Sequence, residues 1–420
     1  MPKRLTAAII LAAISCPSTA TAKNPVIEDV ASAIEDNFFD AKQGEQIGNM
    51  LRERNQRDEF RGLAPELLAA KLTEILSAYD NHFRVDWTSD TNEDDASADR
   101  NSGSAYSFET ILEHSGWGIR SVRHLPGNVG YVELSDFGHI DFDNPEDPVK
   151  KAADSVLRLL EPADALIVDI RANGGGAPSL VGYLVSAFAA RDADIYNTFR
   201  FRGGQANEAP AVAFPSPELD EPLYILTSPR TASAAESFAY TLQAAGRAVI
   251  VGETSRGAAN PGRDFAVTPN LSVFVSTGAP VNPITKKNWE STGVTPDIDI
   301  PAANALDAAH RLALAASIEG GDASPDAAWA LDALSASPMA DSREFEGQYG
   351  PWDVQRFGDT LSLQHEKRLA VTLIPIGTDV FFDRENPGTR YTFVRKDGDI
   401  HAVERRTAFG SVRVKQKDRP

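Results

Sequence analysis

Apolar residues recur at helical spacing along residues 25 to 80. The segments IEDVASAIEDNFF, EQIGNMLRERNQRDEF and APELLAAKLTEILSAY each place apolar positions three or four residues apart, which is the period of one helix face. Pro65 suits a first helical turn, because that turn leaves the N–H that proline lacks unpaired. The pattern predicts an N-terminal helical bundle within residues 23–87, ending in the strand-like HFRVDW.

Residues 107–302 change to an alternation of apolar strands and helices. Two strands are predicted on either side of the Pro126-Gly127-Asn128 turn, and ADALIVDI is a continuous apolar run typical of a strand that is buried on both faces. Further predicted elements are a helix over 148–160, helices after Pro178 and Ser233, and the strands EPLYILTS, AVIVGET and LSVFVSTG. This alternation predicts a layered α/β core.

The remaining segments flank this core. Residues 88–106 are acidic and rich in small residues, which predicts a linker. Residues 303–340 carry two Ala-rich helical patterns and are predicted to connect the core to the C-terminal segment. Short alternating segments within 341–420, such as RLAVTLIPI, RYTFVRK and SVRVKQK, predict a small antiparallel β-rich appendage.

The overall negative charge of the chain bears on the kind of partner that it binds. The chain has 41 Lys and Arg against 60 Asp and Glu, a net charge of -19, which disfavours a nucleic-acid surface.

The N-terminal residues have the order of an export signal. Lys3 and Arg4 precede an apolar stretch over 5–14 and the small residues Ala20-Thr21-Ala22, so residues 1–22 are predicted to be a signal peptide and the protein periplasmic or extracellular. The apolar stretch is too short to span a bilayer. Ala13-Ile14-Ser15-Cys16 also matches a loose lipoprotein cleavage box, and cutting there would leave a lipid anchor on Cys16.

One glycine-rich turn follows the buried strand in VDIRANGGGAP. Successive glycines allow a backbone in which N–H groups turn toward a bound atom, so an oxyanion site at this turn is one interpretation. The alternative is a tight turn with no further role.

A second turn, TSPRTASAAESF, places Ser233 at the start of a predicted helix. Unpaired backbone N–H groups and the helix dipole favour a developing negative charge there, as acyl transfer by a serine requires. The alternative is that Ser233 only caps the helix, with Glu236 completing a capping box.

A nucleophilic serine needs a base, and the base needs an orienting group. Of the seven histidines, His82 lies where the helical bundle passes into a strand, and Glu290 lies in the loop NPITKKNWESTGVTPDI. His139, at the end of a core strand, is a rival base.

A metal-dependent hydrolase is a further alternative, for which the best stretch is IDFDNPED. That stretch lacks the glycine of a calcium loop, and no histidine pair has zinc spacing, so we predict neither a metal nor a cofactor.

The ordered motifs GNVGYVELSDF, LIVDIRANGGG, TASAAESFAYTLQAAGRAVIVGET and NWESTGVTPDI resemble peptidase family S41. That family includes the tail-specific proteases, the tricorn-type core and the interphotoreceptor retinoid-binding protein, and the resemblance extends over about residues 25 to 300. It implies a crotonase-like ββα core and a serine peptidase, acting on a peptide or an unfolded protein, with Ser233 as nucleophile.

The resemblance also implies the partners of Ser233. Tail-specific members use a lysine as base, but Ala258 stands at that position here. The tricorn-like and chlamydial-protease-like branch uses a histidine and a glutamate, and those positions hold His82 and Glu290. The implied oxyanion donors are the backbone N–H groups of Gly175 and Ala234.

Two features of the resemblance leave the function open to another interpretation. The predicted linker is too short for the PDZ domain of the tail-specific enzymes. The retinoid-binding branch transports ligands, so a non-catalytic carrier of an apolar ligand or peptide is the alternative function. The sequence leaves the oligomeric state open.

Overall fold

The computed structural model describes residues 23–88, 108–215, 219–321, 323–336, 343–358, 360–366 and 368–418. The predicted signal peptide, Cys16 and all but the first residue of the predicted linker lie outside these ranges. None of the helices within them combines the length and the apolar content that crossing a bilayer requires.

The described chain begins with three helices, continues as a mixture of strands and helices, and ends in a run of strands. The α-helices are α1 Val26–Asn37, α2 Ala41–Gln56, α3 Pro65–Leu76, α4 Phe108–His114, α5 Pro148–Leu160, α6 Pro178–Phe188, α7 Ala234–Ala244, α8 Ala305–Gly320 and α9 Ala327–Leu334. The strands of the first three sheets are β1 Arg84–Trp87, β2 Ile119–Leu125, β3 Val129–Leu134, β4 Ala165–Asp169, β5 Thr198–Phe201, β6 Gly204–Asn207, β7 Leu223–Thr227, β8 Ala248–Gly252, β9 Gly262–Thr268, β10 Leu271–Ser276, β11 Gly278–Val281 and β12 Ile298–Asp299. Those of the fourth are β13 Gly347–Tyr349, β14 Trp352–Phe357, β15 Thr360–His365, β16 Val371–Pro375, β17 Val380–Asp383, β18 Asn386–Lys396, β19 Asp399–Thr407 and β20 Val412–Gln416.

A six-stranded sheet forms the centre of the molecule, in the order β12-β8-β7-β4-β3-β2. Its strands pair in parallel except β2, which forms an antiparallel hairpin with β3. Every residue of β4 and β7 is buried, which agrees with their continuous apolar sequences.

Helices cover both faces of this sheet. Side chains of α5, α6 and α7 pack on one face in a single apolar core. The Ala-rich α8, together with α9, packs on the other face against residues of β3, β4 and β7. The region predicted only to connect the core to the appendage therefore forms an outer layer of the core, because small alanine side chains allow close contact with the sheet.

The N-terminal helices share a core with a second, three-stranded sheet of order β1-β10-β9. Strand β1 pairs antiparallel with β10, so that Arg84 lies opposite Phe274. This pairing attaches the helical segment to the hairpin β9-β10, which follows β8 of the central sheet, and it fixes the position of residues 80–83 immediately before β1.

Two further antiparallel sheets complete the described chain. Strands β11, β5 and β6 form one of them, and β13 to β20 form an eight-stranded meander with its own apolar core. The segments RLAVTLIPI, RYTFVRK and SVRVKQK contain β16, β18 and β20 of this meander.

The predicted mixed α/β architecture is confirmed, and the elements that carried the prediction are present. Helix α5 begins at Pro148 as expected, and Asp147 caps it by accepting a hydrogen bond from the Lys150 N–H at 2.8 Å. Strands β5, β6 and β9 were not predicted, because their sequences lack a continuous apolar run.

Candidate active site

Ser233 occupies the turn between β7 and α7, at the edge where the parallel strands of the central sheet end. It is exposed, whereas Ala232 and Ala234 on either side are buried. Its backbone has φ 53° and ψ -121°, a conformation that costs an L-residue about 1–3 kcal/mol and that clusters at functional sites. The small neighbours fit beneath the turn and leave the serine accessible.

The capping interpretation of Ser233 also holds locally. Glu236 in the first turn of α7 accepts a hydrogen bond from the Ser233 N–H at 2.9 Å, as in a capping box. Because a capped helix start can still present an exposed hydroxyl, the two interpretations are compatible.

The glycine turn packs directly against Ser233. Strands β4 and β7 are neighbours, so the turns that follow them lie side by side. A Cβ atom added at Gly175 would lie 2.8 Å from the Ser233 Cβ and 3.2 Å from the Ala234 nitrogen. Gly175 has φ 119°, which glycine adopts without strain. The glycine at position 175 therefore allows the backbone of this turn to approach Ser233 closely.

The predicted oxyanion donors differ in availability. The Gly175 N–H already donates to Oδ1 of Asn173 at 2.8 Å, so it is not free in this conformation. The Ala234 N–H donates to no residue in the described part of the chain, because it lies in the first helical turn. Asn173 was not predicted from the sequence, although it directly precedes the three glycines.

His82 lies against the carboxylates of Glu290 and Asp80. Its Nδ1 is 3.4 Å from Oε2 of Glu290 and 3.2 Å from Oδ1 of Asp80. The imidazole is 19% exposed, and its Nε2 makes no hydrogen bond to a described residue. With both carboxylates beside Nδ1, that nitrogen carries the proton of the neutral ring, and Nε2 is left as the basic atom.

The carboxylates govern the protonation of this histidine. Burial by itself lowers the pKa of His82, but hydrogen bonds and charge interactions with Asp80 and Glu290 outweigh it and raise the pKa to about 9. Burial would raise the pKa of Asp80, yet its hydrogen bonds with His82 lower it. The pair is therefore an imidazolium and a carboxylate at neutral pH.

A single loop, residues 255–260, connects the serine to the histidine. Glu236, which accepts from the Ser233 N–H, also accepts from the backbone N–H groups of Gly257 at 2.6 Å and Ala258 at 2.8 Å. Glu236 is completely buried, so these hydrogen bonds form in a low-dielectric interior.

The next two residues of the same loop hold the glutamate beside the histidine. Glu290 Oε2 accepts from the N–H groups of Ala259 at 2.9 Å and Asn260 at 3.1 Å. The chain of contacts from Ser233 through Glu236, the loop and Glu290 to His82 is continuous. The serine hydroxyl and the imidazole of His82 are not hydrogen-bonded to each other in this conformation; such bonds are commonly long without substrate.

The rival base has a different environment. His139 is exposed, and its Nδ1 lies 3.3 Å from the hydroxyl of Ser179 with no carboxylate of a described residue bonded to it. His310 is buried on α8, where Nε2 contacts the carbonyl of Pro126, and burial lowers its pKa. Neither histidine has the orienting carboxylate that a general base requires.

The stretch considered for the metal-dependent alternative makes helix-capping and turn contacts. Within it, Asp141 accepts from the Asp143 N–H, and Asp147 caps α5. Among the described residues, Asp80, His82 and Glu290 form a group whose ligand-type atoms lie within 4.8 Å of one another. Asp80 and Glu290 both accept several N–H groups, which identifies this cluster as a hydrogen-bonded site.

The central part of the chain matches a known protein family. Residues 128–300 match the family model described as Peptidase family S41. We refer to this matched segment as the S41 domain. This domain contains Gly175, Ser233, Ala234 and Glu290, whereas His82 precedes it and comes from the N-terminal segment.

Solved structures show limited similarity to the whole chain. A proposed peptidase from Parabacteroides merdae is 16% identical, with a TM-score of 0.48, and the match covers 69% of this chain and 96% of that one. A lipoprotein from Streptococcus agalactiae is 14% identical, with a TM-score of 0.44 and the same coverage. The photosystem II D1 C-terminal processing protease is 24% identical over 42% of this chain and 43% of its own, with a TM-score of 0.33.

Proposed function

We propose that the chain is an exported serine peptidase that hydrolyses peptide bonds through an acyl-enzyme, with Ser233, His82 and Glu290 as the catalytic triad on a crotonase-like core. One observation carries the proposal. His82, which lies outside the S41 domain, contacts Glu290 inside it at 3.4 Å, and one loop links this pair to an exposed serine with an unusual backbone conformation.

In the proposed reaction, the Ser233 hydroxyl attacks the carbonyl carbon of the peptide while Nε2 of His82 accepts its proton. His82 then donates that proton to the leaving amine, and water repeats the sequence on the acyl-enzyme. Glu290 stabilises the imidazolium that forms between these steps.

The proposed oxyanion site contains the Ala234 N–H at the start of α7, where the helix dipole also favours negative charge. The Gly175 N–H can contribute only if it shares or releases its hydrogen bond to Asn173. One such donor is worth about 3 kcal/mol of transition-state stabilisation in serine hydrolases.

Activity in this mechanism depends on the neutral form of His82. Because its pKa is raised to about 9, the neutral fraction is small at neutral pH and grows as the pH rises toward that value. We therefore expect kcat/KM to increase with pH up to about 9.

The test compares Ser233→Ala, His82→Gln and Glu290→Gln in peptide hydrolysis and in labelling by a fluorophosphonate probe. We expect Ser233→Ala to abolish both without unfolding the protein, and His82→Gln to reduce both by at least about a thousandfold. The matched controls are Ser155→Ala, an exposed serine on α5, and His139→Gln, the rival base. Wild-type turnover in Ser233→Ala, or a loss in His139→Gln equal to that in His82→Gln, would refute the assignment.

The carrier alternative receives less support. The apolar cavity in the core between the sheet, α5 and α6 has a volume of about 30 Å³, whereas ligand pockets usually measure ~300–1,000 Å³. A carrier would therefore have to use an open surface cleft, such as the one of about 320 Å³ lined by Phe188, Ile195 and Leu219. Failure of the probe to label Ser233, together with a rise in melting temperature on adding lipophilic ligands, would favour the carrier.

Export is also part of the proposal, based on residues 1–22. Mass spectrometry of the mature N-terminus separates cleavage after Ala22 from cleavage before Cys16 with lipid attachment, and an intact Met1 terminus in the cytoplasm would exclude both.

A further inference from the structure

We propose that Asp80 is a positioning residue of this site, holding the imidazole of His82 jointly with Glu290, so that two carboxylates from different parts of the chain orient one base. This inference rests on the proposed function. It adds a residue that comes from the N-terminal segment, outside the S41 domain.

The contacts of Asp80 are suited to fixing both the position and the rotation of the ring. Its Oδ1 accepts the backbone N–H of His82 at 2.8 Å and lies 3.2 Å from Nδ1 of the same residue. One oxygen therefore holds the residue at two points, and rotation of the imidazole about its side-chain bonds would break the second contact. Glu290 holds the ring at only one point, 3.4 Å away.

The burial of Asp80 has a cost in free energy, because a buried carboxylate loses its hydration and needs protein partners in its place. The Asp80 side chain is only 1% exposed, and an ionised carboxylate in that environment must be paired or hydrogen-bonded. Its second oxygen, Oδ2, accepts from Nδ2 of Asn260 at 3.0 Å. Both oxygens are thus satisfied by groups of the site itself.

Asn260 links the two carboxylates. Its side-chain amide donates to Asp80, and its backbone N–H donates to Oε2 of Glu290. Because both carboxylates are held by one residue of the 255–260 loop, their separation is fixed independently of the histidine. The pair forms a preformed cradle for Nδ1.

Asp80 and Glu290 are the charged groups that face the imidazole among the described residues. Asp80 approaches from the turn after α3 and Glu290 from the loop after β11, while the loop 255–260 contributes neutral amides. The ring stacks on Phe274 of β10 with centroids 6.2 Å apart, and the cation beyond it, Arg84 of β1, lies over that phenylalanine. Two carboxylates facing one imidazole stabilise the imidazolium that the reaction passes through.

The test compares Asp80→Asn with the matched control Asp86→Asn, a partly exposed aspartate of β1 whose carboxylate pairs with Arg84. Two readouts are used in the full chain. One is the pKa of His82, from NMR of ¹³C-labelled histidine, with the signal assigned by its absence in His82→Gln. The other is the rate of fluorophosphonate labelling as a function of pH.

We expect Asp80→Asn to lower the pKa of His82 by about one unit or more, to shift the acid limb of the labelling profile by the same amount, and to reduce the plateau rate about tenfold to a hundredfold. Asp86→Asn should change none of these. A folded Asp80→Asn variant with an unchanged pKa, or with a lower plateau and no shift of the limb, would overturn the proposal.

Glu290→Gln keeps the proposal testable if Asp80→Asn does not fold. With Asp80 still in place, the pKa of His82 should remain above 6.5 in that variant, and a fall to 6.5 or below would overturn the role of Asp80. If the probe does not label Ser233 in the wild-type protein, the proposed function fails, whereas the NMR measurement still decides the pairing of Asp80 with His82.

Discussion

Replacing Gly175 by alanine tests the contact between the glycine turn and the serine. The new Cβ would lie 2.8 Å from the Ser233 Cβ, about 0.6 Å inside the 3.4 Å at which ordinary contacts begin, and 3.1 Å from the carbonyl oxygen of Ala232. The neighbouring atoms are backbone atoms and the Cβ of Ser233, so no flexible side-chain end can move aside. Either the turn or Ser233 must move.

The expected loss of activity follows from that displacement. A shift on the order of 1 Å at a reacting group costs roughly 10²-fold in rate, or about 2.7 kcal/mol. Alanine at φ 119° adds about 1–3 kcal/mol of backbone strain, which a domain with a typical unfolding free energy of 5–15 kcal/mol tolerates. We therefore expect a folded protein whose kcat/KM is about a hundredfold lower.

The chain provides a matched control one residue away. Gly174 is exposed, has no positive φ, and a Cβ there would meet no atom within 4 Å. Gly174→Ala should remain within about twofold of wild type. Hydrolysis of a fluorogenic unfolded protein, probe labelling and thermal unfolding of both variants give the comparison. Wild-type kcat/KM in Gly175→Ala, or equal losses in the two variants, would contradict the steric argument.

The remaining predictions concern stability. Glu208 is buried, and burial raises its pKa to about 7 even though hydrogen bonds from Ser237 and Asn197 oppose the rise. The stability that the protonated Glu208 gives the folded state is therefore complete below about pH 4.5 and is lost as the pH rises through 7. At pH 8, Glu208→Gln should have an unfolding free energy up to about 3 kcal/mol above that of wild type, while below pH 4 the two proteins should show the same pH dependence. Parallel curves of unfolding free energy against pH over the whole range would contradict this prediction. Because the pKa of His82 is raised, the stability that its protonated form gives is complete below about pH 6.5 and is lost as the pH rises through 9. The melting temperature of His82→Gln should therefore change less with pH between 6.5 and 9 than that of wild type. An equal change in both proteins would contradict the pairing of His82 with the carboxylates. Phe238→Ala, on the buried face of α7, should lower the unfolding free energy measured in urea by about 3–5 kcal/mol, whereas Leu67→Ala, 61% exposed, should lower it by less than about 0.5 kcal/mol; similar losses would contradict the burial of the two side chains.

Much of the fold could be predicted, because it depends on local patterns. The apolar runs that became β4, β7 and β8 and the helical periods of α1 to α3 each report burial from neighbouring residues alone. The strand pairing β1-β10-β9 could not be read in the same way, because it joins segments far apart in the chain. The Ala-rich α8 was interpreted as a connector, since its sequence does not state which surface it covers.

The candidate site likewise has a part that the sequence predicted and a part that depends on tertiary contacts. The turn residues Gly175 and Ser233 carried local signals, and the family resemblance pointed to His82 and Glu290. Asp80 lies only two residues before His82 in the sequence, but the local sequence does not distinguish a carboxylate that orients the histidine from one that is exposed to solvent. Its burial, and the linking amide of Asn260, exist only after the helical segment has packed against the S41 domain.

The sequence by itself determined the order of elements, the S41 motifs and the small residues that allow backbone to approach Ser233. The tertiary structure alone decided that the Gly175 N–H is already bonded to Asn173, that Glu236 joins the serine to the 255–260 loop, and that His82 lies between two carboxylates. The physical reason is that residue type and spacing report local conformation, whereas hydrogen-bond partners and pKa values depend on burial and on groups brought together from distant parts of the chain.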